Sequence, residues 1–286
     1  MRRKAVVVWS GSATAWHAVD WAVTWWGADE VTLLHVADWE EPDTENVHTG
    51  SPADSTRTRL GDEVERARQQ FPGVAISAEI EQQAPLDAVV EHTAPGHLLV
   101  FGIAPMKQRK AHVQWSIQTR VAAIAHGPVV LVPPAADANV KPHRRAEIVV
   151  GIDGSRGEEV LIRTAAEEAQ RSGSRLRLVH AWSVPSMWES EESLGDDVLI
   201  RLEARHRALL DETIRTLGTQ HPDIDIAGTL AQGEPAEAVI TASAGAALVV
   251  VGRHRLERYE RMFLGSVSHS VLLNISAPTL VLPLTA

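Results

Sequence analysis

The sequence predicts an α/β protein made of two tandem doubly wound units, each a five-stranded parallel sheet with helices on both faces. Three observations lead there. Short apolar runs alternate with helical patterns throughout, which calls for parallel strands joined by crossover helices. The runs are apolar at nearly every position, as in Leu248–Val251, which suits strands covered on both faces rather than half-exposed ones. The two halves also align: Pro85, Gly102, Ser116 and Pro128 correspond at one constant offset to Pro235, Gly252, Ser266 and Pro278. VVVWSGS at Val6–Ser12 likewise matches VVGIDGS at Val149–Ser155. This is a tandem duplication.

In the first half, Lys4–Trp9 reads as a strand, Ser12–Trp26 as a helix and Val31–Val36 as a second strand. Trp39–Ser55 is rich in Glu, Asp, Pro, Thr and Ser, and is expected to be a mobile surface loop. A helix over Thr56–Phe71, a strand over Val74–Ile80 and a helix from Pro85 to Thr93 follow, with proline at the first turn. His97–Phe101, a helix over Ser116–Ala125 and Val129–Val132 complete the unit. Pro133–Arg145 lacks periodicity, so the domains are expected at 1–134 and 146–286 with a linker over 135–145. The second half repeats the plan, with strands at Glu147–Ile152, Arg175–Ala181 and Ile224–Leu230 and helices at Glu158–Arg171, Glu191–Leu217 and Pro235–Ala244. Leu248–Val251, ended by Gly252, is its fourth strand. A helix opened by Gly265-Ser266 and stopped at Ala277-Pro278 leads to the last strand, Thr279–Leu282.

With 286 residues, 44% hydrophobic and 22% charged, the chain is long enough for two ordinary globular domains. A net charge of −10 argues against general nucleic-acid or anionic-membrane binding. No apolar run is long enough to span a membrane. The absence of cysteine removes disulfides, thiolate metal sites and cysteine nucleophiles, and fits a cytoplasmic location. The histidines show no paired metal-ligand spacing, so no metal constellation is expected from them. The tryptophans Trp9, Trp16, Trp21, Trp25, Trp26 and Trp39 read as core or inter-domain packing.

Gly265-Ser266 has the makings of an anion site. Ser266 is placed to cap the helix, Gly265 lets a ligand approach the backbone, and the free N–H groups face whatever lies in front. Asp153, just past the first strand of the second half, has two readings: it caps the next helix, as Ser155 equally can, or it accepts hydrogen bonds from a ligand. Arg253, Arg255, Arg258 and Arg261 make the intervening loop strongly basic.

At these residues the sequence resembles the universal stress protein family. Its nucleotide signature is Gly, two residues, Gly, nine residues, then Gly followed by Ser or Thr. Here Gly252 opens the pattern, Arg255 stands at the second glycine, and Gly265-Ser266 close it at unbroken spacing. IVVGIDGS at Ile148–Ser155 and SAPTLVLP at Ser276–Pro283 resemble the family's first and last strands. The resemblance implies strand order 3-2-1-4-5 in each unit, with the first and fourth strands flanking the ligand crevice. It further implies that the second unit binds ATP or a related adenine nucleotide, with Mg²⁺ as a companion of the triphosphate. Asp153 and Ala181 would face adenine or ribose, and Gly252, Gly265, Ser266, Val267 and Ser268 the phosphates. Arg255 either pairs with phosphate or fills the pocket.

The first half has Ser10 for Asp153, Pro105 for the second glycine and Trp115 for Gly265, so at most one nucleotide per chain is expected. The implied role is that of a stress-response regulator acting on a protein partner. The alternative is a nucleotide-free scaffold. No general base is identifiable near Gly265-Ser266, so enzymatic activity beyond slow ATP hydrolysis is not expected. By the same resemblance, the two fifth strands are expected to pair the domains as an intramolecular pseudo-dimer, and a homodimer is a further possibility of this kind of edge.

Overall fold

The computed structural model describes residues 2–36, 52–94, 96–104, 116–134, 147–155, 157–184, 196–254 and 264–284. The chain divides into two compact units, 1–138 and 139–286. The stretch 135–145, expected as the linker, lies outside the described residues, as do 39–51 of the expected loop.

The first unit runs β1 (Lys4–Val8), α1 (Ala13–Thr24), β2 (Glu30–Val36), α2 (Pro52–Gln70), β3 (Ala75–Glu81), α3 (Pro85–Glu91), β4 (His97–Gly102), α4 (Ile117–Ile124) and β5 (Val129–Val132). Its strands are ordered β3-β2-β1-β4-β5 and its pairings are parallel. The second unit runs β6 (Glu147–Ile152), α5 (Glu158–Ser172), β7 (Arg175–Trp182), α6 (Asp196–Gln220), β8 (Ile226–Gln232), α7 (Pro235–Ala242), β9 (Leu248–His254), α8 (Ser266–Leu273) and β10 (Thr279–Leu284). Its order, β8-β7-β6-β9-β10, is the same 3-2-1-4-5.

The central strands are buried as their composition requires. Val6–Val8, Leu98–Phe101 and Ile148–Val150 are all buried, and Leu33, Leu34, Leu176 and Leu178 are fully so from the neighbouring strands. Trp9, Trp21 and Trp25 are buried too, which meets the packing expectation. Trp9 meets Trp16 edge-on with centroids 5.2 Å apart, Trp21 stacks on Trp25 at 5.2 Å, and the Arg3 guanidinium covers Trp26 at 3.7 Å. Trp39 lies outside the described residues.

Of the boundaries that differ from expectation, three have identifiable reasons. The expected loop over Trp39–Ser55 ends sooner, because α2 begins at Pro52; proline with its preset φ suits a first helical position. Gly252 does not end its strand: β9 continues to His254 because β10 runs on to Leu284 and pairs Pro283 with Arg253 and Leu284 with His254. Nor does Ser266 cap α8. It is the first helical residue, Gly265 is the N-cap, and among the described residues no side chain caps this end. The equivalent Ser116 does cap α4, accepting the Thr119 N–H at 3.3 Å. Ser116→Ala is therefore expected to cost about 1 kcal/mol of stability, and Ser266→Ala less than about 0.5, in paired denaturant titrations.

An ion pair joins the first two strands of each unit near their amino ends. Lys4 lies opposite Glu30, Nζ to Oε2 3.1 Å, and Glu147 lies opposite Arg175 at 3.7 Å while taking a forked contact of 2.7 Å per oxygen from Arg177. The order of charges is reversed between the units.

Candidate functional site

The carboxyl ends of β6 and β9, neighbours in the sheet, open into a cavity of about 260 Å³. It is lined by seven of the eight residues singled out in the sequence: Asp153, Ala181, Gly252, Gly265, Ser266, Val267 and Ser268. The eighth, Arg255, lies outside the described residues, as does the chain on to residue 263; Arg253, expected in the basic loop, is instead a buried residue of β9, because that strand continues past Gly252 alongside β10. Apart from Ser155 at the loop, the other side chains on its walls are apolar, among them Ile152 from β6, Leu161 from α5, Val179 from β7, Val239 from α7, Val251 from β9 and Leu284 from β10. These side chains read as ordinary core in the sequence, and only the crossing of four strands and two helices turns them into a pocket wall.

Asp153 is exposed, and its Oδ1 accepts the Ser155 N–H at 2.9 Å. Neither residue caps α5, whose N-cap is Gly157 with no side-chain hydrogen bond. The cap reading of Asp153 and Ser155 is thus replaced by a tight turn within the loop, with Gly154 at φ 78°. Glu158, in the first turn of α5, reaches back and accepts the N–H groups of Asp153 at 2.9 Å and Gly154 at 2.6 Å. This resembles the reciprocal half of a capping box and fixes the loop at the cavity mouth. Sequence reasoning missed Glu158; an acidic residue five positions beyond a strand-end Asp was the available signal.

On the facing side, Gly265 has φ −54° and ψ 154°, and a Cβ added to it would meet no atom of the described residues within 4 Å. Behind it, the Ser268 hydroxyl is buried and donates to the Gly252 carbonyl at 2.5 Å, pinning the first turn of α8 to the end of β9. The Ser268 side chain therefore positions the helix end. Its backbone amide stands with those of Ser266 and Val267 in the first turn of the helix.

Ala181 is set by its neighbours. His180, buried, directs Nδ1 at the Ile152 carbonyl at 3.0 Å, and since that oxygen only accepts, Nδ1 carries the proton. His180 Nε2 and His206 Nδ1 on α6 share a hydrogen bond of 2.8 Å. The His206 ring stacks on Trp182, and burial, with the neighbouring His180 and Arg205, lowers its pKa. His35 makes the matching contact in the first unit, Nδ1 to the Trp9 carbonyl at 3.2 Å, as the repeat leads one to expect.

The first unit is built differently at the same place. Ser10, Ser12 and Thr14 form a hydroxyl chain with 2.8 Å links, and Ser12 caps α1 by accepting the Ala15 N–H. The first turn of α1 lies so close to β4 that a Cβ on Gly102 would be 2.0 Å from the Thr14 carbonyl oxygen. Gly102 is thus a packing glycine, whereas Gly252 faces the movable ends of Leu284 and Leu161. Pro105 and Trp115 lie outside the described residues.

The sequence model of the universal stress protein family matches residues 1–133 and again 145–283. The chain belongs to that family. Among relatives, a universal stress protein of Mycobacterium tuberculosis is 28% identical over 283 residues, covering 95% of this chain and 92% of its own. A universal stress protein of Mycolicibacterium smegmatis is 28% identical over 216 residues, 73% of this chain and 69% of its own. The crystal structure of a universal stress protein from Archaeoglobus fulgidus superposes with a TM-score of 0.73 over 99% of both chains at 16% identity, a likeness of fold. The present universal stress protein thus carries two copies of the family domain. Among its described residues, no helix is long and apolar enough to cross a membrane.

Proposed function

We propose that this protein is a stress-response regulator that binds ATP or a related adenine nucleotide, with Mg²⁺ accompanying the triphosphate, in its second unit alone. The observation that supports this most is the uncapped start of α8 at Gly265, bordering the same cavity as Asp153 and the apolar walls. Amides at a helix start, without a side-chain cap, suit phosphate oxygens. An apolar slot between Ile152, Val179 and Val239 suits a purine face, and a carboxylate at the mouth suits the donors of adenine or ribose. The donor set therefore fits such a ligand. Asp153, Ala181, Gly252, Gly265, Ser266, Val267 and Ser268 are the proposed contacts, and Arg255 a proposed phosphate partner. Binding would alter the surface that a regulatory protein partner reads.

Calorimetric titration with ATP tests the reading. One nucleotide per chain is expected. Loss of a charge-assisted hydrogen bond, worth about 1.5–3 kcal/mol, should make Asp153→Ala bind roughly ten- to a hundredfold more weakly, while Ser10→Ala matches the wild type. Two sites per chain would refute the asymmetry, and no wild-type binding would leave the nucleotide-free scaffold.

A further inference from the structure

A second cluster lies in the first unit and shares no residue with the cavity described above. Glu79 and Glu81, two apart on β3, project to the same face of the sheet. His92, at the carboxyl end of α3, stands between them: Nε2 is 3.3 Å from Glu81 Oε1, and Nδ1 is 3.7 Å from Glu79 Oε2. One donor atom from each of the three lies within 4.8 Å of the other two.

The fold itself does not require these side chains. The equivalent positions of the second unit hold Thr229, Ala231 and Ala242, on the same strand and helix of the same architecture. Nor are three acidic groups merely crowded together, for the set is mixed, with one imidazole nitrogen and two carboxylates.

We propose that Glu79, Glu81 and His92 bind a divalent transition-metal ion of the zinc class. A tetrahedral zinc with bonds of about 2.0–2.2 Å has ligand-to-ligand edges of about 3.3–3.5 Å. The His92 Nε2 to Glu81 Oε1 separation, 3.3 Å, already equals such an edge. Glu79 is half exposed, so rotation of its side chain brings the third donor in at little cost, and water completes the shell. Two carboxylates balance the charge of the ion. The nitrogen donor favours zinc, nickel or copper over magnesium and calcium, which take all-oxygen shells, and a chain without cysteine has no thiolate to compete. Bound there, the ion clips the end of β3 to the end of α3.

The test is zinc titrated into the chelator-stripped full chain, without nucleotide, in competition with a chromophoric chelator. The expected result is one saturable site whose affinity falls at least tenfold in His92→Ala and in Glu81→Gln, and is unchanged in Glu91→Gln, an adjacent carboxylate held by Gln83. Zinc should raise the melting temperature of the wild type and not of the two ligand variants. Should His92→Ala fail to fold, the isosteric change Glu81→Gln decides. Wild-type affinity no greater than that of Glu81→Gln would overturn the site and leave an ion pair. The outcome is independent of whether the second unit binds nucleotide.

Discussion

A Gly265→Trp variant is expected to bind no adenine nucleotide measurable by calorimetry while melting close to the wild-type temperature. The glycine backbone sits at φ −54°, a value any L-residue adopts, so no strain accompanies the change. A Cβ there meets no atom of the described residues within 4 Å, so the first carbon of the new side chain displaces none of them. Position 265 borders the first turn of α8, where the proposed phosphates would lie. The substitution copies Trp115 from the first half into the second. Retained affinity in a folded variant would remove Gly265 and the α8 amides from the binding account.

Gly102→Ala should have the largest effect on stability. Its Cβ would lie 2.0 Å from the Thr14 oxygen, 2.4 Å from the Thr14 carbonyl carbon and 2.9 Å from the Ala15 nitrogen. These are backbone atoms at the start of α1, which no rotamer change can move aside. Overpacking of this kind costs 1–3 kcal/mol and occasionally more, so a loss of about 3 kcal/mol or above is expected in urea unfolding. Gly252→Ala, at the matching position, meets Leu284 Cδ1 at 2.6 Å and Leu161 Cδ1 at 3.1 Å. Those methyl groups can rotate, and the expected loss is about 1 kcal/mol. Equal losses at the two glycines would mean that α1 yields as readily as a leucine side chain.

The contrast between these glycines shows where sequence reading reaches its limit. Strand identity was legible because runs such as Leu248–Val251 and Val129–Val132 admit few other structures, and the repeat doubled each signal, whereas strand order was implied by the family resemblance alone. Strand ends were not legible, since Gly252 looks like a breaker until β10 is seen to pair past it. The motif residues from Gly265 to Ser268 were legible because they are contiguous. Which of them caps α8 depended on backbone angles, and Gly265 rather than Ser266 takes that place. The pocket walls, Glu158, and the meeting of Glu79, Glu81 and His92 arise from contacts between elements, for which no local pattern exists.

The reversed ion pairs at the strand starts bear on how a duplicated chain keeps its copies apart while folding. Two units of one plan offer each nascent strand a wrong partner of nearly the right shape, and exchange between repeats is a characteristic failure of such chains. If β1 took the place of β6 beside β7, Lys4 would face Arg175. If β6 lay beside β2, Glu147 would face Glu30. Each misassembled sheet would bring like charges together at the position where the correct one brings opposites, at a cost on the order of 0.2–1 kcal/mol per pair. The polarity of a single charged position thus acts as an address, sorting strands of otherwise interchangeable pattern to their own half of the chain.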